Sequence, residues 1–247
     1  MSIKTALAQR LKRYPALYRL AAKVYFTLEP YRLLGLIIGT KAEEMRWARR
    51  SIAEGYWDNR NHPSKQFLVD KIATLAPFSN ILEVGCASGP NLYLLAQKFP
   101  KAEIVGIDIN APAIKYGLQQ FAKEKIPNVK LLVNEADELK FPDGSFDIVF
   151  TSALLIYIGP DKIEKTIKDM LRVSRRALVL MECYSFEPSK DINGKGINQN
   201  GIWVREYAAL LKRFVPEKQI RINRIPEDVW PVEPWKSCGV VIEVIKQ

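Results

Sequence analysis

Histidine is almost missing from this chain: His62 is the single one among 247 residues. Cysteine is scarce as well. Cys86, Cys183 and Cys238 lie far apart with no close-spaced pair, which excludes a sequence-obvious zinc or iron–sulfur site and suits a reducing cytoplasm. Long hydrophobic runs are absent too; runs such as Leu33 to Ile38 are far too short to span a bilayer, and no N-terminal stretch has the uninterrupted apolar core of a signal peptide. These absences point to a soluble or peripheral cytoplasmic protein without a metal centre. With 48% hydrophobic residues, the chain can still bury one full α/β core.

What is present centres on Ile81 to Leu92, ILEVGCASGPNL. Ile81, Leu82 and Val84 form the apolar run of a strand covered on both faces. Gly85 and Gly89 allow a sharp turn and close backbone approach to a ligand. Pro90 suits the first position of a helix running through Phe99. A dinucleotide fingerprint needs a third glycine where Pro90 stands, and no Lys-Ser or Lys-Thr follows to make a phosphate loop. Nicotinamide and triphosphate chemistry are therefore disfavoured. The remaining pattern suits a nucleoside with a cationic or zwitterionic arm, which a carboxylate such as Glu83 can help hold.

Three ordered motifs, LEVGCASG, VGIDIN and NEADELKFPDGSFDIVF, resemble those of class I, seven-stranded S-adenosylmethionine-dependent methyltransferases, type 11 in particular. The resemblance covers Pro77 to about Glu182. It implies a three-layer α/β/α sandwich around a mostly parallel seven-stranded sheet with an antiparallel last strand. S-adenosylmethionine is the implied cofactor, contacted by Glu83, Gly85, Ala87 and Gly89. Asp108, ending the second strand, can accept both ribose hydroxyl hydrogens, and Ile109 would pack on the adenine ring. In the family pattern Glu135 receives the adenine amino group and Ala136 offers a backbone N–H, with Asp137 the competitor for Glu135. Thr151, at the end of the fourth strand, joins the cofactor set.

The acceptor side is less defined. Thr151 to Leu154 replaces the Asn or Asp-Pro-Pro-aromatic motif of amino-methylating DNA enzymes, and the Pro-Cys pair of enzymes attacking pyrimidine carbon 5 is absent. Where type 11 relatives often carry a histidine, this chain has Tyr157. An oxygen acceptor needs proton removal, for which Tyr157, His62 and Glu182 are the candidates, although a phenol is a poor base unless perturbed. His62 reads equally as a helix cap. Tyr56 and Trp57 are either lid residues or anchors for the N-terminal helices.

Positive charge is concentrated at one end. Residues 1 to 50 hold 11 Lys plus Arg against 3 acidic residues, whereas the rest hold 26 against 24. Leucines and aromatics recur there at helical spacing, as in helices that lie on an anionic membrane surface or cap a catalytic domain. Residues 1–62 are read as a basic helical extension and 63–247 as the methyltransferase domain. The expected reaction is methyl transfer, at oxygen, to a small-molecule or lipid- or glycan-linked acceptor, with a possible peripheral site on the inner membrane face. Two alternatives stay open: an RNA methyltransferase docking through the basic helices, for which no RNA-binding motif is present, and a non-catalytic S-adenosylmethionine-binding protein. Helices are expected over Ala42 to Ala53 and Trp203 to Phe214, and a long loop over Pro188 to Gly201.

Overall fold

The structure, a computed structural model, describes residues 40–187, 195–199 and 202–246. Most of the basic, leucine-striped segment lies outside the described residues, as does most of the expected loop. In chain order the elements are α1 (Thr40–Ala48), α2 (Ala53–Asp58), α3 (Pro63–Ala73), β1 (Asn80–Val84), α4 (Pro90–Lys98), β2 (Glu103–Asp108), α5 (Ala111–Lys123), β3 (Val129–Val133) and β4 (Phe146–Ser152). They continue with α6 (Ile163–Val173), β5 (Ser174–Cys183), β6 (Ile197–Gln199), β7 (Ile202–Val204), α7 (Tyr207–Leu211), β8 (Ile220–Arg224), α8 (Trp235–Cys238) and β9 (Gly239–Ile245).

Seven strands form one sheet in the order β3-β2-β1-β4-β5-β9-β8. The pairings from β3 through β5 are parallel, and β9 runs antiparallel to both β5 and β8. The central strands read as apolar runs because both faces are covered. One face carries α3, α4 and α5 through Leu68, Ile72, Leu92, Leu95, Ile114 and Phe121; the other carries α6 and α7 through Ile163, Ile167, Met170, Tyr207 and Leu210. Each such aliphatic side chain, fully buried, contributes about 1.5–3 kcal/mol. This is the expected three-layer sandwich with its antiparallel last strand.

Chain order reverses across the β1/β4 pair, and in sheets of this wiring ligands bind beyond the carboxyl ends at that point. Helix starts are fixed there by local chemistry. His62 Nδ1 accepts from Ser64 N at 3.2 Å to cap α3, and Asn110 Oδ1 accepts from Ala113 N at 2.8 Å to cap α5.

Two expectations change. Trp203 to Phe214 does not form one helix: the β-branched and aromatic run Ile202–Val204 pairs with Ile197–Gln199 as a hairpin, and helix resumes only at Tyr207. Nor do the cysteines stay apart. Cys183 and Cys238, 55 residues apart in sequence, are paired as a disulfide, while Cys86 is free and buried. The compartment inferred from cysteine spacing loses that support. Among the described residues no helix is long and apolar enough to cross a membrane.

Candidate active site

A cleft of about 780 Å³, counting its open mouth, lies at the carboxyl ends of β1, β2 and β4. Its floor is the turn after β1. Gly85 adopts φ +80°, and its N–H and that of Cys86 both donate to the Ile107 carbonyl, at 2.8 and 2.9 Å, locking the turn to β2. A Cβ on Gly85 would stand 2.8 Å from Leu154 Cδ1, so the turn and the segment after β4 meet without a side chain between them. Ala87, also at positive φ, donates its N–H to Asp108 Oδ2 at 2.8 Å.

Asp108 accepts a second backbone N–H, from Asn110 to Oδ1 at 2.8 Å, so its carboxylate is fixed where β2 opens into the cleft. Burial raises its pKa above the usual range, and the hydrogen bonds from Asn110 and Ala87 pull it back. Each oxygen retains a free lone pair, which fits a vicinal diol. Gly85, Ala87, Ile109, Glu135 and Ala136 line the same cleft, and so does Asp137.

Three expected cofactor contacts fall elsewhere. Glu83 does not line this cleft; it is buried at the end of β1, accepting from Asn91 Nδ2 at 2.6 Å with Oε1, and burial pushes its pKa up to about 8. Gly89, at φ +86°, starts α4 and faces the Phe121 ring, so its missing side chain serves helix packing. Thr151 is buried in β4 with its hydroxyl donating to Glu182 Oε1 at 2.8 Å.

A cover closes the cleft from above. Helix α1 is latched at its start, where Thr40 N and Oγ1 donate to the Asp161 carboxylate and Gly159 N donates to Thr40 Oγ1. At its far end Asn110 Nδ2 donates to the Trp47 and Arg50 carbonyls, at 2.7 and 2.8 Å. Between them Lys162 pairs with Glu44, with Asp137 at 3.1 Å and with Glu135 at 3.7 Å, while Lys41 reaches Glu135 at 3.4 Å. Those three carboxylates are close enough to share a cation, but Lys41, Lys162 and Lys165, which reaches Asp137 at 3.6 Å, already pair with them. Trp57 is buried edge-on against Tyr93 and Phe121 and anchors α2, whereas Tyr56 lines the cleft. Residues 40–62 thus pack as part of the domain, and the packing shows no break at 62.

The three base candidates do not converge. Tyr157 lines the cleft, its ring 4.6 Å from that of Trp47, but burial pushes its pKa up to about 12, so it is a neutral hydrogen-bonding phenol at physiological pH. Glu182 is fully buried beneath the β4 exit and does not line the cleft. His62 is occupied with its cap and faces Trp230, 5.7 Å away; burial, and then Lys65, lowers its pKa. Sequence reading passed over Glu43, Glu44, Trp47 and Ile52 as cleft residues, because a helix tens of residues upstream of β1 gives no local sign of where it docks.

This sheet order and cleft position define the fold of class I S-adenosylmethionine-dependent methyltransferases. Residues 81–177 match the family model described as methyltransferase domain. Among curated relatives, the chain is 28% identical over 158 residues to 2-methyl-6-phytyl-1,4-hydroquinone methyltransferase of Synechocystis sp., covering 55% of this chain and 48% of that protein. The chain thus spans about half that relative's length. A solved S-adenosylmethionine-dependent methyltransferase from Aquifex aeolicus superposes with a TM-score of 0.52 at 20% identity, over 72% of this chain and 89% of that one. The [4+2]-cyclase SpnF superposes with a TM-score of 0.56 at 17% identity, over 73% and 80%.

Proposed function

We propose that the chain is an S-adenosylmethionine-dependent methyltransferase acting on a small-molecule acceptor that presents a largely apolar ring. The observation that carries this reading is the position of Asp108: a carboxylate at the end of β2, pinned by two backbone N–H groups and opening into a cleft beside a glycine turn. When bound, the cofactor supplies an electrophilic methyl group on a sulfonium. Asp108 holds the ribose hydroxyls, Gly85 and Ala87 supply the close backbone, and Ile109 and Ala136 border the base with Glu135. Asp137 is the less suited partner for the adenine amino group, since it is the more buried of the two and lies closer to Lys162.

The acceptor half is framed by Trp47, Ile52, Tyr56, Leu154, Tyr157 and Ile158. These apolar and aromatic walls favour a ring-bearing acceptor over a phosphorylated metabolite or a nucleic acid, and the hydroquinone named for the Synechocystis relative has that character. With Tyr157 held neutral, the acceptor's attacking atom must be electron-rich at neutral pH without a strong protein base, as in an ionising phenol, its ring carbon or an amine. Rate enhancement then comes from orientation in a dry pocket.

Calorimetry with S-adenosylhomocysteine tests the cofactor; binding of NADH in its place would remove the reading. Incubation with methyl-labelled cofactor and a panel of hydroquinones and phenols then tests the acceptor class. A second reading, binding of the cofactor without methyl transfer, is favoured by the missing base and by a cyclase of the same fold. Tight binding with no label transferred to any acceptor would support it. The membrane and RNA readings rest on a basic segment mostly outside the described residues.

A further inference from the structure

Two fully buried, oppositely charged side chains converge on one short turn. Residues 154–158 follow β4, include a 3-10 turn over Leu155–Tyr157, and deliver Leu154, Tyr157 and Ile158 to the cleft. Glu182, on β5, accepts from the backbone N–H groups of Leu154 and Leu155 at 3.1 Å each and of Ile156 at 3.3 Å, besides the Thr151 hydroxyl. Arg205, just beyond β7, donates from Nη1 to the Leu155 carbonyl at 2.6 Å and from Nη2 to the Ile158 carbonyl. Its Nε donates to the Lys195 carbonyl at 2.9 Å, and its Cγ fills the space a side chain on Gly196 would need.

Three of the five N–H groups of this segment and two of its carbonyls are thus held by buried ionisable side chains. Burying the two charges carries a desolvation cost, and what it secures is a partner for each of these buried backbone groups, which an aliphatic pair would leave unsatisfied. The carboxylate meets only donors and the guanidinium only acceptors, so sliding the turn in either direction breaks charge-assisted bonds. The turn is also the wall that touches the cofactor floor, through Leu154 against Gly85.

We infer that Glu182 and Arg205 are a pair of positioning residues that clamp the turn 154–158 and thereby set the placement of Leu154 and Tyr157 against the cofactor and acceptor. Glu182 then acts through the backbone and not as a proton acceptor. The inference rests on the methyltransferase reading only for its binding readout; the clamp itself is read by amide exchange without any ligand.

The test uses the full chain in three variants. Glu182→Leu fills the space with no acceptor, Glu182→Gln keeps one oxygen for the bonds made by Oε1, and Arg205→Lys keeps the charge but not the fork. Exchange of the 154–156 amides should accelerate by about tenfold or more in Glu182→Leu and Arg205→Lys, with β1 and β2 amides unchanged. S-adenosylhomocysteine affinity should fall about tenfold in the same two variants, the scale of one lost charged hydrogen bond, and Glu182→Gln should recover most of it. Unchanged exchange at 154–156, or acceleration spread evenly over the sheet, would overturn the clamp. Should Glu182→Leu fail to fold, Arg205→Lys carries the same comparison. If wild-type protein ignores S-adenosylhomocysteine while the exchange pattern holds, the methyltransferase reading fails and the clamp stands.

Discussion

The two halves of the cleft are built in opposite ways. The nucleoside half is local: Gly85, Ala87 and Asp108 belong to one β-α-β unit and are tied together by backbone hydrogen bonds. The acceptor half is assembled from distant parts of the chain, with α1 arriving from residues 40–48, Tyr157 from after β4, and the supports of its turn from Glu182 and Arg205. One half of the cleft is thus written into a short motif, whereas the other is composed from segments far apart in the chain.

That contrast can be broken most forcefully through pH. Burial holds the Glu182 carboxyl up to about 7, against an ordinary 4.5, so its ionisation penalises the folded state. Below pH 4.5 the group is protonated in both states and costs nothing. As pH rises toward 7, stability should fall by on the order of 3 kcal/mol and then level off. Glu182→Gln should lack this fall, so its stability relative to wild type, from denaturant titrations, should improve between pH 4.5 and 8. A constant difference across that range would refute the assignment.

Next comes Asp108→Ala, which should weaken S-adenosylhomocysteine binding by about 2 kcal/mol or more and also lower the melting temperature, since the Ala87 and Asn110 N–H groups lose their acceptor. Calorimetry decides; unchanged affinity would move the ribose elsewhere. Trp47→Ala should act on the other half. Transfer to a ring-bearing acceptor should slow by about tenfold through lost packing and water exclusion, with cofactor affinity changed much less. Equal losses on both sides would show that the cover belongs to the cofactor site.

The smallest effect is expected at Lys162. Lys162→Met removes the cation shared by Glu44, Glu135 and Asp137, and should loosen α1 by about 1 kcal/mol, the scale of a partly exposed ion cluster. Faster exchange at α1 amides, with α4 amides unaffected, is the expected reading.

The same division explains what could be read before folding. The strand that ends in Asp108 was legible because β2 is a nearly continuous apolar run buried on both faces, which carries its signal in consecutive residues. Asp108 was legible from its distance to the glycine turn. Thr151 does not line the cleft, whereas Ser152 and Ala153, at and just beyond the end of β4, do. Glu182 was misread for a different reason: the carboxyl end of β5 does lead toward the cofactor edge, but only the fold reveals three amides waiting for that carboxylate. Trp47 had no signal at all, since its docking depends on Asn110 and Asp161 far along the chain.

The latch of Thr40 on Asp161 spans 121 residues, which gives the molecule a history in time. At synthesis rates of about 5–20 residues per second, the cover helix leaves the ribosome on the order of ten seconds before the residue that holds it down. The cover helix therefore waits for its latch, and the cleft can be closed from that side only after Asp161 has been made.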